Sequence, residues 1–216
     1  MSETRTGQRH EINLPRRVLV GSGALNEVPS ILRDLGLGRR VLICTGPHTY
    51  QIAGRRVEKE LAATGFETTV HIVRKPTFAA VQRTRAAIRR HQAATVVAVG
   101  GGKVIDVSKV AAFQAGIPFV SCPTTPTNDA ITSMFASLKK RGRPVSIRAH
   151  PPIAIIGDTA ILASAPHRHK AAGFGEIIAK YTAVLDWQLA ARVRGEYYGD
   201  YAANLALMSA RLVMRN

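Results

Sequence analysis

Strand-like and helix-like segments alternate along the first half of this chain, and this alternation constrains the fold more than any other feature. Short apolar or β-branched runs predict strands at 17–20, 40–45, 68–73, 95–99 and 117–121, with a further apolar run at 153–156. Helical spacing of apolar residues predicts helices at 28–35, 52–63, 78–91 and 104–115. Strands that alternate with helices form a mostly parallel sheet covered on both faces. The sequence therefore predicts an α/β, doubly wound fold.

The pattern changes after Pro166. Residues 170–191 and 201–214 have the spacing of continuous helices, with no strand between them. We therefore predict two domains. A Rossmann-like nucleotide-binding domain spans 1–165, and the start of an all-helical domain spans 166–216.

Three consecutive glycines, Gly100, Gly101 and Gly102, stand where the strand at 95–99 gives way to a helix. Glycine lacks a Cβ, so the main chain can approach a ligand closely. The helix start adds unpaired N–H groups and a partial positive charge. We interpret the segment as a loop for the diphosphate of a nucleotide, although it differs from the G-x-G-x-x-G fingerprint and a tight turn is the alternative. Lys103 either adds charge at the phosphates or lies in solvent.

A hydroxyl-rich loop follows the strand at 117–121. Its residues Thr124, Thr125 and Thr127 are suited to hydrogen bonds with a ribose or a nicotinamide amide. Ligands bind beyond the carboxyl ends of parallel strands, so this loop and the glycines are expected at one edge of the sheet. The alternative is a cluster that caps a helix, with Asp129 as the capping residue.

Two carboxylates each precede a lysine by about one helical turn. Glu176 stands at a helix start and is a candidate metal ligand or base, but an i,i+4 pair with Lys180 explains it equally well. Asp106 and Lys109 are spaced i,i+3 on the helix after the glycines, and this spacing predicts a simple surface pair.

The composition limits the possible classes of protein. The net charge is +16, but the basic residues are scattered without interleaved aromatic residues, which argues against nucleic-acid binding as the main function. Cys44 and Cys122 end apolar runs and are expected to be buried free thiols of a cytoplasmic protein. The first ten residues lack the apolar segment of a signal peptide. No apolar run reaches the roughly 20 residues that span a bilayer.

Several segments together resemble the sn-glycerol-1-phosphate dehydrogenase family, within the superfamily of dehydroquinate synthases and iron-containing alcohol dehydrogenases. Besides the glycine loop, they are 45–50, 52–57, 123–129, 133–137, 151–156, 171–176, 182–187 and 195–198. The similarity covers nearly the whole chain. It implies zinc-assisted hydride transfer between NAD or NADP and a small phosphorylated substrate, dihydroxyacetone phosphate, and a place in phospholipid biosynthesis.

The resemblance also implies positions for the cofactor. It places the diphosphate at Gly100–Val104 and the nicotinamide half at Thr124–Thr127, with Ser133 as a further cofactor contact. Relatives that prefer NAD often have an aspartate near the position of Gly46. This chain has none there, so the resemblance allows NADP as well as NAD.

The metal and catalytic positions depart from the family pattern. The resemblance makes Asp129 a catalytic residue that contacts the substrate, and it makes Glu176 the first metal ligand, where the family has an aspartate. Lys180, one turn further on, would compete with the metal or act as an electrophile. The family's two histidine ligands lie beyond Asn216, so zinc would need ligands from outside this sequence.

Three functions therefore stay open at this point. The first is the dehydrogenase, as a homo-oligomer or with a further chain. The second is a dehydroquinate synthase-like cyclase or lyase that acts on a phosphorylated polyol. The third is a non-catalytic nucleotide-binding chain that needs a partner chain.

Overall fold

A six-stranded parallel sheet forms the centre of the computed structural model, which describes residues 13–215. In sheet order its strands are β1 (Arg17–Gly21), β8 (Ala154–Asp158), β5 (Phe119–Pro123), β4 (Thr95–Gly100), β2 (Arg40–Thr45) and β3 (Glu67–Ile72). All five pairings between these strands are parallel. The predicted doubly wound α/β fold is confirmed.

Helices cover both faces of the sheet, because each helix has one apolar side that must be buried. The first region contains α1 (Val28–Asp34), α2 (Pro47–Thr49), a π-helix (Tyr50–Gly54), α3 (Arg55–Ala63), α4 (Phe78–Arg90), α5 (Gly102–Ala115) and α6 (Thr159–Ala163). Helices α1 and α3 pack into one apolar cluster, and α4 and α5 pack into the other. Strand β4 lies between the two clusters and is buried along its whole length.

An antiparallel hairpin was not predicted from the sequence. It consists of β6 (Phe135–Lys140) and β7 (Arg143–Arg148), which pair over their full length. Its two turn residues, Arg141 and Gly142, have φ values of 50° and 80°, as a tight hairpin turn requires. Alternate residues of β6 are buried, and the strand packs on α5. The hairpin therefore covers a helix that the sequence suggested was partly exposed.

After Pro166 the described residues form helices and no strand, as the sequence predicted, but three helices stand where two were predicted. They are α7 (His167–Ile178), α8 (Lys180–Arg194) and α9 (Asp200–Arg215). The single helix predicted over 170–191 is interrupted at Ala179, where α7 ends and α8 begins. The two-domain division stays a prediction.

Much of the apolar surface of these last helices is exposed, including Leu185, Leu189, Val193 and Met208. Within residues 13–215, no helix is both long and apolar enough to cross a membrane. The residues that bear on the signal-peptide prediction lie outside the described range.

The prediction that both cysteines are buried free thiols is confirmed. Cys44 and Cys122 are buried and free, and burial raises the pKa of each thiol to about 12. Thiols with so high a pKa are almost never ionised at neutral pH and are therefore poor nucleophiles.

Candidate functional site

A cleft of about 620 Å³ opens at the carboxyl edge of the sheet. The chain runs from β2 outward to β3 and then returns to place β4 on the other side of β2. The helices after β2 and after β4 consequently lie on opposite faces, and a crevice forms between the two strand ends. Gly46 after β2, Gly101 after β4 and Thr124 after β5 all line this cleft. Its position and size suit a nucleotide ligand.

The three glycines have different roles in the structure. Gly100 is the buried last residue of β4, and a Cβ there would lie 2.7 Å from the side chain of Val104. Gly101 and Gly102 line the cleft and begin α5. A Cβ on Gly101 would come within 3.0 Å of Thr125 Oγ1. The first turn of this 14-residue helix thus borders the cleft with glycine main chain, next to the side chains of Thr125 and Asn128.

The threonine loop forms the adjoining wall, where the Thr124 amide donates a hydrogen bond to the Gly100 carbonyl at 3.1 Å. Thr124, Thr125 and Thr127 line the cleft, and Thr127 Oγ1 donates a hydrogen bond to Thr125 Oγ1 at 2.9 Å. Thr127 Oγ1 also lies 3.3 Å from Nδ1 of His169, a lining residue that was not among the predicted site residues. Ser133 is not among the lining residues, and its Oγ accepts a hydrogen bond from the Phe135 amide at 3.0 Å.

Thr124 shows that this wall suits a polar ligand. The residue is 4% exposed, and within residues 13–215 its Oγ1 has no hydrogen-bond partner. A buried hydroxyl without a partner costs about 1–3 kcal/mol. A ligand polar group, such as an amide or a ribose hydroxyl, would remove this cost. Together with the free main chain of the glycine loop, Thr124 makes the cleft fit a dinucleotide.

The predicted substrate and metal residues meet beside the cleft. Glu176 Oε1 accepts a hydrogen bond from the backbone N–H of Asp129 at 2.8 Å, which joins α7 to the end of the threonine loop. The alternative pairing of Glu176 with Lys180 is wrong, since the ion pairs of the described residues do not include it. The two residues belong to different helices, because α7 ends at Ile178 and α8 begins at Lys180.

The capping alternative for Asp129 is also wrong. Asn128 is the capping residue of the short helical turn Asp129–Ile131, and its Oδ1 accepts a hydrogen bond from the Ala130 amide at 3.2 Å. The Asp129 side chain is therefore not used as a cap. Asp129 is exposed and lies at the end of the loop that lines the cleft.

Lys109 and Asp106 form a buried pair, so the predicted surface pair is wrong. Lys109 is 1% exposed and Asp106 is 6% exposed, because the hairpin covers their helix. Lys109 Nζ donates to the carbonyl oxygens of Ala130 at 2.9 Å and Phe135 at 2.7 Å, and it lies 3.9 Å from Asp106 Oδ1. Lys109 thus holds both ends of the segment that follows Asp129.

Burial changes the pKa values of this pair. Desolvation lowers the pKa of Lys109 to about 8, although the carboxylates of Asp106 and Asp129 oppose that shift. Desolvation likewise raises the pKa of Asp106 to about 6, against the attraction of Lys109. Both groups therefore remain largely charged at neutral pH.

The described residues do not fit a metal centre. Over residues 13–215, no three His, Cys, Asp or Glu side chains are grouped so that they could hold an ion. Stable zinc sites need three or four protein ligands. The role of Glu176 as a metal ligand stays a prediction.

The family assignment follows from the comparison with protein-family models. The model described as iron-containing alcohol dehydrogenase matches residues 19–166, which contain the whole sheet except the first residues of β1. The chain belongs to the iron-containing alcohol dehydrogenase family. The resemblance seen in the sequence is thereby confirmed.

Curated relatives give a more specific likeness. An enzyme of Thermococcus kodakarensis, named glycerol-1-phosphate dehydrogenase, NAD(P)+, is 45% identical over 207 residues. The alignment covers 96% of this chain and 59% of that protein. The enzyme of the same name from Sulfolobus acidocaldarius is 44% identical, over 94% of this chain and 58% of its own length. The chain therefore spans about 60% of the length of the relatives that it matches.

Solved structures agree on the fold. A probable glycerol dehydrogenase from Sinorhizobium meliloti superposes with a TM-score of 0.80 at 22% identity, over 93% of this chain and 56% of that one. The glycerol dehydrogenase of Schizosaccharomyces pombe superposes with a TM-score of 0.74 at 19% identity, over 84% and 47%. At these identities the likeness concerns the fold alone.

Proposed function

We propose that this chain is the cofactor-binding part of an NAD(P)-dependent dehydrogenase that reduces dihydroxyacetone phosphate to sn-glycerol 1-phosphate. The observation that carries the proposal is the cleft at the β2–β4 crossover, where glycine main chain adjoins a buried hydroxyl that has no hydrogen-bond partner among residues 13–215. The names of the relatives favour this reaction over that of a dehydroquinate synthase-like cyclase or lyase.

In this proposal the glycine loop binds the diphosphate. The first-turn amides of α5 donate to the phosphate oxygens, and Lys103 adds a positive charge at the same helix turn. Gly100 acts indirectly, since its missing Cβ lets Val104 pack beneath the loop. Val104 itself lines the cleft and excludes water from the bound cofactor.

The threonine wall orients the nicotinamide half. Thr124 Oγ1 is buried and has no hydrogen-bond partner among residues 13–215, and Thr125 and Thr127 are held together by their own hydrogen bond. This orientation matters because the bound cofactor supplies the hydride, and its ring must face the substrate carbonyl. Ser133 lies further along the same segment and is proposed as an additional contact.

The substrate is proposed to bind next to Asp129. Glu176 fixes the backbone of Asp129, and the side chain of Asp129 then orients a hydroxyl of the substrate. Lys180 is half-buried at the start of α8, and we propose that it attracts the substrate phosphate or polarises the carbonyl.

The test is a pair of measurements on the purified chain. NADPH binding is followed by the change in nicotinamide fluorescence, and turnover is followed by the loss of nicotinamide absorbance after dihydroxyacetone phosphate is added. Cofactor binding together with formation of sn-glycerol 1-phosphate supports the proposal. A chain that binds neither NADH nor NADPH would rule it out.

A second candidate is a nucleotide-binding chain that turns over no substrate unless another polypeptide completes the site. The lack of a grouped metal-ligand set among residues 13–215 and the exposed apolar surface of α8 and α9 favour it. Under this candidate, NADPH binds but dihydroxyacetone phosphate is not reduced, with or without added zinc. We also propose a cytoplasmic location, because both cysteines are free.

A further inference from the structure

We propose that the cleft prefers NADP(H) to NAD(H), and that Arg74 binds the phosphate on the 2′-oxygen of the adenosine ribose. The inference rests on the proposed function, since it assigns the second half of the same dinucleotide. It goes beyond that function because it names the cofactor and the side chain that selects it.

The main chain places Arg74 at the edge of the β2–β4 crevice. The amide of Val73 donates to the carbonyl of Thr45 at 2.7 Å, so the chain after β3 stays beside the end of β2. A Cβ on Gly46 would lie 3.7 Å from the Val73 carbonyl and 3.8 Å from Val104 on α5. Arg74 is the next residue, and it lines the cleft.

This side of the cleft is the one left for the adenosine. A dinucleotide that lies across a crossover has one half on each side of its diphosphate. The threonine loop after β5 occupies one side and is assigned to the nicotinamide half. The ends of β2 and β3 occupy the other side, where His48 and Arg74 are the lining residues with basic side chains.

The charges of the lining favour an extra phosphate. Of the described residues that line the cleft, none is an aspartate or a glutamate. Arg74 is exposed and makes no hydrogen bond or ion pair with any residue in 13–215, so its guanidinium is available to a ligand. In dinucleotide sites an acidic residue binds the 2′-hydroxyl of NAD, whereas an arginine accommodates the 2′-phosphate of NADP.

Arginine is well suited to this task. Its planar guanidinium donates two parallel hydrogen bonds to phosphate oxygens and keeps its charge at any physiological pH. Hydrogen bonds to charged groups typically change an equilibrium by about ten- to a hundredfold. We therefore expect NADPH to bind at least about tenfold more tightly than NADH.

The experiment measures dissociation constants, so it does not depend on turnover. NADPH and NADH are titrated by fluorescence, and 2′,5′-ADP and 5′-AMP, which differ only by the 2′-phosphate, are titrated by calorimetry. The variant is Arg74→Gln. The control is Lys75→Gln, which removes the same charge from the neighbouring exposed residue, one that does not line the cleft.

The expected result is a loss of the preference in one variant only. Arg74→Gln should bring the dissociation constants of NADPH and NADH to within about threefold of each other and leave that of NADH unchanged, while Lys75→Gln keeps the native ratio. Equal affinities in the native chain, or equal weakening of both cofactors by Arg74→Gln, would overturn the inference and leave the dehydrogenase proposal standing. Absence of binding by every nucleotide would overturn both.

Discussion

Replacing Lys109 with methionine is expected to reduce the free energy of unfolding by about 3–5 kcal/mol, the usual cost of breaking a buried ion pair from one side. The substitution removes the donor from the carbonyls of Ala130 and Phe135 and leaves the Asp106 carboxylate without its nearest cation. Each charge-assisted hydrogen bond is worth about 1.5–3 kcal/mol. The contributions are not additive, so the total stays within the range for the pair.

The measurement is chemical denaturation followed by circular dichroism, at one pH and with equal slopes checked between variants. Lys103→Met is the matched control, because Lys103 is exposed on the same helix and should change stability by less than about 0.5 kcal/mol. Faster amide exchange over 129–135 in Lys109→Met would show that the segment has lost its anchor. The reasoning fails if Lys109→Met is as stable as the control.

The pH dependence gives a second readout of the same pair. Burial lowers the pKa of Lys109 to about 8 from 10.5, so above pH 8 the unfolded chain binds more protons than the native one and stability rises with pH. Burial raises the pKa of Asp106 to about 6 from 3.8, so stability falls as pH rises through that interval. The contribution of the pair to the free energy of unfolding is therefore smallest between these two native pKa values. Lys109→Met should abolish the rise above pH 8, and an unchanged profile would contradict the assignment.

Three further substitutions test the cleft itself. In Gly101→Val the new side chain would meet Thr125 and fill the phosphate site. NADPH affinity should therefore fall at least about tenfold, while the circular dichroism spectrum is unchanged. Unaltered affinity would exclude this loop as the phosphate site. In Thr124→Val the protein without cofactor should melt at the same or a higher temperature, because the hydroxyl that is removed has no partner among residues 13–215. NADPH should nevertheless bind more weakly. Stronger binding would contradict the role of this hydroxyl. In Glu176→Ala the Asp129 amide loses its hydrogen-bond acceptor. Calorimetry should then show weaker binding of dihydroxyacetone phosphate, while the affinity for NADPH is unchanged. If substrate affinity and zinc content are both unchanged, Glu176 is only a carboxylate at a helix start.

The parallel sheet was readily predicted from the sequence, because its strands are continuous apolar runs separated by helical periods. Strand β4 shows the reason most clearly, since a strand that is buried on both faces must be apolar at nearly every position. The position of the cleft followed from the same pattern, because the ends of parallel strands share an edge.

The hairpin and its consequences were harder to predict. β6 has alternate residues buried and ends at the Arg141–Gly142 turn, so the signal was present but weak. Unless the hairpin is recognised, nothing in the sequence indicates that α5 is covered. The spacing of Asp106 and Lys109 then looks like that of a surface pair. The burial of this pair depends on packing between segments that are not adjacent in the sequence, so it is seen only in the folded structure.

Contacts between distant segments were likewise absent from the pattern. The hydrogen bond from the Asp129 amide to Glu176 joins residues 47 positions apart, and Arg74 reaches the cleft through the pairing of β3 with β2. A rule that considers every residue just after a strand would have identified Arg74. No local rule identifies the partner of Glu176, because that partner is 47 positions away in the sequence.

The most direct test of the central claim is a crystal structure of the chain grown with excess NADPH. Density for the diphosphate against the main chain of Gly101 and Gly102, with the nicotinamide next to Thr124, is the expected result. Density for the coenzyme at another surface, with the glycine loop closed by side chains, would contradict the assignment of the cleft.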